Sequence, residues 1–351
     1  MILHVFNPEH EMALAANLHQ FTSPRAGREM RSYLSYLPAL WANDGDAVWV
    51  EDVEKAHESL ERIGLPYANI VFATAKDILQ LSIDSVYPWG WDRSIVHQLK
   101  RLQVSPACLP TDEQLTKIRE ISSRQWTSIH LLPVLNELDE MIIGKADYVT
   151  TLSSFTSPVV FKSPWSCSGR GVRYALNEQQ FLANQNWAKN IIEKQGGIMV
   201  EPYYQHSLDF AMEFESNAKG IKYLGISLFL TNLGGYTGNI LASEKYKLQV
   251  ISRYISLDVL ENVKTEILKQ MNILLKDKYL GPFGVDMMVV KDGHHYRLHP
   301  CVELNLRRTM GHVALSIQSK YPNPMMMCVK YDGSYRLEIL PIGKNECEIL
   351  T

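Results

Sequence analysis

The stretch "FGVDMMVVKDGHHYRLHPCVELNLR", residues 283–307, constrains the fold of this chain more than any other segment. Two apolar runs flank the turn sequence "KDGHH", and this combination is typical of a β-hairpin. Asp286 interrupts the first run, and Glu303 and Asn305 interrupt the second, two residues apart. Since side chains alternate across a strand, Glu303 and Asn305 share one face, and Asp286 can face them from the partner strand.

The polar residues of this hairpin form a candidate metal site. Asp286, Glu303 and Asn305 offer two carboxylates and an amide oxygen, a hard-oxygen set that suits Mg²⁺ and not zinc. The alternative is that they lie on the solvent-exposed face of a sheet. The apolar neighbours Val302 and Leu304 favour the metal site, because an acid in a strand of buried composition requires a partner or a metal. We predict Mg²⁺, with Mn²⁺ as the second ion that such ligands accept.

The N-terminal third of the chain alternates between two patterns. "ILHVFN" and "DAVWVE" have the composition of strands, whereas "REMRSYLSYLPALW" and "VEKAHESLERIG" have the periodicity of amphipathic helices. Strands that alternate with helices indicate a parallel sheet covered by helices. We therefore predict an α/β domain over residues 1–111, after which Thr111 or Asp112 caps the next helix.

The rest of the chain is predicted to be mostly strands with short connections. A helical stretch from residue 112 is interrupted by Pro133. The glycine-rich segment Thr231 to Tyr246 is long for a connection and is predicted to be a functional loop. Predicted strands are "SPVVFKS", "GVRYAL", "GGIMVEPYY", "LDFAMEFES", "IKYLGISLFLTN" and "KLQVISRYIS", and the helix "LDVLENVKTEILKQMNILLKDKY" precedes the hairpin.

A second candidate site is the segment "FKSPWSCSGRGV", residues 161–172. Lys162 ends an apolar strand, and Gly169 and Gly171 allow backbone N–H groups to approach a phosphate. The lysine precedes the glycines and no "GK[ST]" follows, so this is not a Walker A sequence. Taken alone, the segment is more simply explained as a surface turn with an incidental lysine.

Two further segments carry residues suited to anions and nucleosides. Arg307 and Arg308 follow the metal hairpin and suit bidentate capture of phosphate or carboxylate. In "GGIMVEPYYQHSLDF" an apolar strand runs into Glu201 and Tyr203, which could present backbone groups to a purine edge. Asp209 could accept from ribose hydroxyls. In isolation, this segment is better explained as a structural strand end.

Taken together and in this order, these segments resemble the ATP-grasp superfamily over about residues 112–315. "GVD…ELNLRRTMG" is similar to the family's "GxD…ExNxRxxG" and is the most specific part. The resemblance implies that a two-lobed ATP-grasp fold follows the N-terminal domain, with a small lid subdomain at 112–205 and a C-terminal subdomain at 206–351. It further implies an ADP-forming carboxylate–amine ligase that acts through an acyl phosphate, in an unassigned subfamily.

The resemblance also implies roles for individual residues. Arg124, in "SSRQWT", stands where the family usually has a lysine. The implied catalytic residues are Arg307, Lys162 and Arg170; the implied ATP-binding residues are Lys162, Arg124, Ser168, Gly169, Gly171, Glu201, Tyr203 and Asp209; and the implied metal ligands are Asp286, Glu303 and Asn305.

The substrate site is expected at the end of the first strand. Open α/β sheets bind ligands at the carboxyl ends of their strands, and there the sequence is "FNPEHEMALA". Asn7, Glu9 and His10, together with Arg308, are the predicted substrate residues. A helix cap is an alternative explanation of "NPEHE" that the sequence leaves open.

Composition excludes several other classes of protein. A net charge of −3 argues against a dedicated nucleic-acid binder, and the apolar runs are shorter than the ~20 residues of a membrane helix. Five dispersed cysteines indicate reduced thiols, and we expect a cytoplasmic protein.

The expected partners are a small-molecule carboxylate and an amine, with a homodimer as an open option. The alternatives to a ligase are a small-molecule kinase on the same scaffold and a non-catalytic nucleotide-binding protein.

Overall fold

The computed structural model describes residues 1–166, 171–232 and 235–343, and within these ranges the chain forms three β-sheets. None of the described helices is both long and apolar enough to cross a bilayer.

The N-terminal part is a parallel sheet covered by helices. Its strands are β1 Ile2–Val5, β2 Ala47–Trp49, β3 Val71–Ala73 and β4 Ser85–Pro88, in the order β3-β2-β1-β4. Its helices are α1 His10–Ala16, α2 Arg25–Leu34, α3 Val53–Ile63, α4 Ala75–Ile78 and α5 Arg93–Arg101, with 3-10 turns at Leu37–Leu40 and Pro106–Cys108. All neighbouring strands run parallel, which confirms the predicted α/β class. The carboxyl ends of β1 and β4 therefore meet at one edge.

Three short helices connect this part to the rest of the chain: α6 Asp112–Ile121, α7 Arg124–His130 and α8 Leu132–Asn136. Thr111 caps α6 as predicted, and its side chain accepts a hydrogen bond from the Gln114 amide. The predicted interruption at Pro133 is confirmed, because α7 ends at His130 and α8 begins at Leu132 with the proline in its first turn, where a missing N–H is tolerated. The helical stretch has a further interruption at Ser122–Ser123.

The second sheet is antiparallel and has four strands: β5 Asp147–Val149, β6 Val159–Lys162, β7 Val172–Ala175 and β8 Ile198–Pro202, in the order β5-β8-β6-β7. Helix α9, Glu178–Gln195, packs on β7 and β8. The sequence interpretation missed this helix, because only Phe181 and Ala188 of its residues are buried and its amphipathic pattern is weak.

The third sheet has seven antiparallel strands: β9 Gln205–Asn217, β10 Gly220–Asn232, β11 Gly235–Leu241, β12 Gly281–Asp292, β13 His295–Asn305, β14 Met325–Tyr331 and β15 Tyr335–Pro341. Their order is β13-β12-β9-β10-β11-β14-β15. The associated helices are α10 Glu244–Ile251, α11 Leu257–Leu274 and α12 Met310–Ile317, followed by a 3-10 turn at Gln318–Lys320.

Two predictions in this region are wrong. The segment from Thr231 to Tyr246 is not a long loop, since β11 pairs with β10 and the end of β10, β11 and the start of α10 together take up most of it. "KLQVISRYIS" is not a strand but contains most of α10, whose N-cap Ser243 accepts a hydrogen bond from the Tyr246 amide. Lys247, Val250 and Ile251 are buried at helical spacing, which outweighs the β-branched composition of the segment.

The seven-stranded sheet has two different faces. Apolar side chains such as Phe210 and Phe283 pack against Ile267 and Met271 of α11. Because side chains alternate, the intervening residues of the central strands point to the opposite face, which is partly covered by α12. Helices α7 and α8 pack on β13 of this sheet. The division of the chain at 111/112 and 205/206 stays a prediction.

Candidate functional site

The hairpin of β12 and β13 brings the three predicted metal ligands together. Asp286 pairs with Glu303, and Gly284 pairs with Asn305, so all three polar side chains project from one face. The Asn305 Nδ2 donates to Asp286 Oδ2 at 2.9 Å, and Asn305 Oδ1 accepts from Arg307 Nη2 at 2.7 Å. Asn305 therefore links the acidic pair to the arginine that follows the hairpin.

This face of the sheet carries a surplus of negative charge. Burial, with added repulsion from Glu303 and Glu213, raises the pKa of Asp286 well above its usual range. Among the described residues no group of three or more His, Cys, Asp or Glu side chains is arranged to hold a metal, so the hairpin would bind one through two carboxylates and an amide. The oxygen donors and the repulsion between these acids both fit a hard divalent cation.

Arg124 connects the hairpin to the segment that precedes residue 167. Its Nη2 lies 2.7 Å from Glu303 Oε1, while Nη1 donates to Ser163 O at 2.6 Å and to Ser166 Oγ at 2.8 Å. Burial lowers the pKa of this guanidinium, but attraction to Glu303 and Glu11 outweighs it and the net pKa is raised. The side chain is 7% exposed, and its Nε has no partner among the described residues. The cation is therefore held rigidly at the junction of two sheets.

Lys162 and Glu201 form a second buried ion pair, between neighbouring strands β6 and β8. The Lys162 Nζ lies 2.6 Å from Glu201 Oε2. Both charges affect the pKa of the Cys301 thiol on β13. Burial, Asp286, Glu303 and Glu201 raise this pKa and Lys162 lowers it, and the net pKa is raised. Arg124, which contacts Glu303 of β13 and the Ser163 carbonyl after β6, links the β5–β8 sheet to the seven-stranded sheet beside these charges, and we call the charged region between the two sheets the cleft.

The remaining predicted nucleotide residues border this cleft. Asp209 of β9 accepts from Thr231 Oγ1 at 2.6 Å, and it raises the pKa of His206, whose Nε2 is 2.8 Å away. Tyr203 follows β8 and is 43% exposed. A Cβ on Gly171 would lie 2.2 Å from the Ser166 side chain, so only glycine fits where the segment returns to the sheet. The predicted Ser168, Gly169 and Arg170 lie outside the described residues.

Glu11 of the "NPEHE" turn contacts Arg307 at the edge of the cleft. Its Oε1 accepts from Arg307 Nε at 2.8 Å, which joins the first helix to the end of the hairpin. Asn7, by contrast, holds β1 against β4: its Nδ2 donates to Gly90 O at 2.8 Å and to Asp92 Oδ2 at 3.2 Å. His10 Nδ1 lies 3.2 Å from the same Asp92 oxygen. Glu11 is thus the residue of this turn that contacts the cleft directly.

Glu9 and Arg308 flank this contact. Glu9 Oε1 accepts from Arg31 Nη1 at 2.8 Å, and its other oxygen is buried without a partner among the described residues. Arg308 lies over the Trp41 ring, 4.4 Å from its centroid, and burial lowers its pKa to about 10. Glu9 is the N-cap residue of α1 and its carbonyl accepts from the Met12 and Ala13 amides, but no side chain of the turn makes a capping hydrogen bond.

Sequence interpretation missed two buried polar residues of the site. Glu213 of β9 is 1% exposed and accepts from Thr309 Oγ1 at 2.7 Å, directly below the start of α12. The signal was present, because Glu213 interrupts the apolar run "DFAMEF" just as Asp286 interrupts its own strand. His299 of β13 is 2% exposed, and neither ring nitrogen has a partner among the described residues. Its isolation depends on tertiary packing and has no sequence signal.

His299 should make folding sensitive to acid. Burial, with a contribution from Lys162, lowers its pKa from 6.5 to about 3, so between these values the unfolded chain binds a proton that the folded chain does not. The free energy of unfolding therefore falls as the pH falls below 6.5, by about 2 kcal/mol between pH 7 and pH 5 from this residue. His299→Leu should remove that part of the pH dependence. Urea unfolding of wild type and His299→Leu at pH 7 and pH 5 tests this prediction. His130→Gln, at an exposed histidine, is the control. Equal changes in unfolding free energy with pH for wild type and His299→Leu would contradict the prediction.

Several solved structures have a fold similar to that of this chain. No protein-family model matches the sequence, and no curated protein matches it. An ADP complex of N5-carboxyaminoimidazole ribonucleotide synthetase has a TM-score of 0.51 at 13% identity, covering 99% of this chain and 93% of the other. The biotin carboxylase domain of Hydrogenobacter thermophilus 2-oxoglutarate carboxylase, in complex with MgADP, ADP and bicarbonate, has a TM-score of 0.51 at 12% identity, covering 93% and 74%. Rhizobium etli pyruvate carboxylase has the same TM-score at 13% identity, over 93% of this chain and 30% of that one.

Proposed function

Because the chain has the ATP-grasp fold, we propose that it is an ATP-dependent, ADP-forming ligase that joins a small-molecule carboxylate to an amine. The proposed reaction proceeds through an acyl phosphate with Mg²⁺. Two of the structures with a similar fold contain ADP, and one of them contains it as MgADP with bicarbonate. These complexes support a nucleotide site in the cleft between the β5–β8 sheet and the seven-stranded sheet.

The position of Arg124 carries this proposal. One buried guanidinium contacts Glu303 of the hairpin and the backbone of Ser163, beside Lys162. A buried guanidinium between a metal-type acid and the segment that follows β6 is placed to neutralise an anion that enters between them. We assign Arg124 and Lys162 to the phosphates of ATP, and Glu201, Tyr203 and Asp209 to its nucleoside. Arg124 then takes the place of the lysine that is usual in the family.

The protein's own residues would act mainly by positioning and charge neutralisation, which is how phosphoryl transfer is catalysed. Asp286, Glu303 and Asn305 would hold Mg²⁺, which would neutralise charge on the phosphate oxygens. Lys162 and Arg124 provide two further positive charges on the opposite wall of the cleft. The buried setting of these groups strengthens each interaction relative to water.

Arg307 is assigned to the transferred group and the substrate carboxylate. Its guanidinium is fixed by Glu11 at 2.8 Å and by Asn305 at 2.7 Å, so its orientation is tied to both the N-terminal helix and the metal hairpin. Such an arginine can neutralise the acyl phosphate as it forms. Asn7, His10 and Glu9 support the wall from which Glu11 projects, and Arg308 lies next to it in the chain.

Hydroxylamine trapping tests the proposed reaction. The purified protein is incubated with MgATP, hydroxylamine and a panel of amino acids and dicarboxylates, and ADP and hydroxamate are both measured. A ligase releases ADP and forms a hydroxamate with its own carboxylate. ADP release with phosphate on a substrate hydroxyl and no hydroxamate would identify a kinase instead, and absence of both products with intact MgATP binding would indicate a non-catalytic nucleotide-binding protein.

Arg307→Lys is expected to reduce kcat by about a hundredfold and to leave the affinity for MgATP nearly unchanged. Lysine keeps one charge but cannot make the two directed contacts to Glu11 and Asn305 at once. Steady-state ADP release and calorimetric titration of MgATP measure the two quantities, and the exposed Arg62→Lys is the matched control. An equal loss of affinity would show that Arg307 acts in ground-state binding and not in the transfer step.

Assembly and location stay predictions. One of the similar structures is a dimer of its biotin carboxylase domain, which supports testing this chain for a homodimer by light scattering.

A further inference from the structure

A cavity of about 390 Å³ lies outside the nucleotide cleft, between the end of α1, helices α6 and α7, and Trp165. We call it the Arg119 pocket. Its lining includes Arg119, Glu120, Trp126, Ile129, His130 and Trp165. None of these residues belongs to the set assigned above to nucleotide, metal or substrate. Its volume falls in the range of small-molecule sites.

Arg119 is the charged group of the pocket for which the described part of the chain supplies no counter-ion. Its Nε donates to Leu14 O at 2.7 Å, and no ion pair of this side chain is found within residues 1–166, 171–232 and 235–343. The neighbouring charges are already matched: Arg93 pairs with Asp112, and Glu120 with Lys117. Burial lowers the pKa of Arg119, and the positive charge of Arg93 adds to the effect.

The position of this guanidinium is fixed by an aromatic wall. Its central carbon lies 3.8 Å from the centroid of the Trp165 ring, and Trp165 Nε1 donates back to Arg119 O at 2.9 Å. Trp126 and His130 form a second aromatic pair, with ring centroids 4.9 Å apart. Ile129 is 57% exposed at the rim. The pocket thus combines an oriented guanidinium with the edges of two mostly buried tryptophans, Trp126 and Trp165, and with the exposed Ile129.

We propose that the Arg119 pocket binds a small organic acid, with the carboxylate on Arg119 and an aromatic or branched apolar body against Trp126, Ile129 and Trp165. The terminal nitrogens of the guanidinium form a planar fork that matches a carboxylate in a bidentate contact. A half-buried arginine without a counter-ion gains more from such a contact than a solvated one. This site goes beyond the proposed ligase reaction and does not depend on it.

Titration with 3-phenylpropanoate tests the site. Binding is followed by tryptophan emission, since two of the seven tryptophans line the pocket, and by saturation-transfer NMR of the ligand. We expect saturable binding in the low millimolar range. The neutral 3-phenylpropanamide should bind at least about tenfold more weakly, because it lacks the charge.

Two variants separate the site from general effects. Arg119→Gln should weaken 3-phenylpropanoate binding about tenfold or more, while the exposed Arg101→Gln leaves it unchanged within about twofold. Ile129→Glu places a negative charge at the rim without touching the core, and it should weaken binding severalfold relative to Ile129→Gln. Unfolding curves of all variants confirm that they are folded.

The outcomes decide between the pocket and the nucleotide cleft. Unchanged 3-phenylpropanoate binding in the Glu303→Gln/Asn305→Ala protein supports a separate site, whatever becomes of the ligase proposal. No saturable response of the wild type up to about 20 mM, equal affinity for the amide, or full binding by both Arg119→Gln and Ile129→Glu would overturn the proposal.

Discussion

Replacing Asp286 by asparagine is expected to abolish magnesium-dependent binding of ATP while leaving the free protein at least as stable as the wild type. Asp286 is partly buried, and desolvation together with the charges of Glu303 and Glu213 raises its pKa, so the unliganded fold bears a cost at this position. Asparagine keeps the shape and can still bond to Asn305, but it removes a negative ligand. Loss of binding combined with equal or greater stability is the signature of a strained functional site.

The measurements are calorimetric titration of ATP with and without Mg²⁺, and urea unfolding of the free proteins. We expect the affinity for MgATP to fall by at least about a hundredfold, with the same loss in Glu303→Gln/Asn305→Ala. Asp292→Asn, an exposed carboxylate at the tip of the same hairpin, is the control and should bind as the wild type does. Equal magnesium-dependent binding by Asp286→Asn and wild type would remove Asp286 from the metal site. No binding by the wild type at millimolar MgATP would withdraw the proposed function.

Gly311→Ala is expected to have the largest effect on stability, about 3 kcal/mol or more. Its added Cβ would lie 1.9 Å from Glu213 Oε1 and 2.5 Å from Ser227 Oγ. Glu213 cannot move away easily, because Thr309 Oγ1 donates to its Oε1 at 2.7 Å and His312 Nδ1 lies 3.0 Å from its other oxygen. The substitution would therefore push α12 off the sheet and displace Arg307 and Arg308.

Urea unfolding measures this effect, with Ser316→Ala in the same helix as the control that should change stability little. A double-mutant cycle identifies the cause. In the Glu213→Ala background, Gly311→Ala should cost less, because the shortest contact is gone and only the Ser227 side chain still meets the added Cβ. An equal cost in both backgrounds would show that the glycine is needed for another reason, such as backbone conformation.

Local patterns were sufficient for several parts of the fold. Strand and helix alternation predicted the parallel N-terminal sheet, and the Asp-Gly turn with acids at spacing two predicted the β12–β13 hairpin, whose register the structure shows as Asp286 opposite Glu303. These features depend on residues close in sequence, where periodicity and turn chemistry act directly. The same reasoning failed for α10, where burial of one helical face outweighed β-branched composition.

The sequence by itself determined the polar residues of the hairpin, the lysine before the glycines, and their resemblance to one superfamily. Only the tertiary structure decided which charges meet: Arg124 with Glu303, Lys162 with Glu201, and Glu11 with Arg307. It alone left Arg119 without a counter-ion and both ring nitrogens of His299 unpaired within the described part of the chain. The physical reason is that spacing fixes which face a side chain occupies, whereas its ionic partner depends on contacts between segments up to 296 residues apart, which no local pattern encodes.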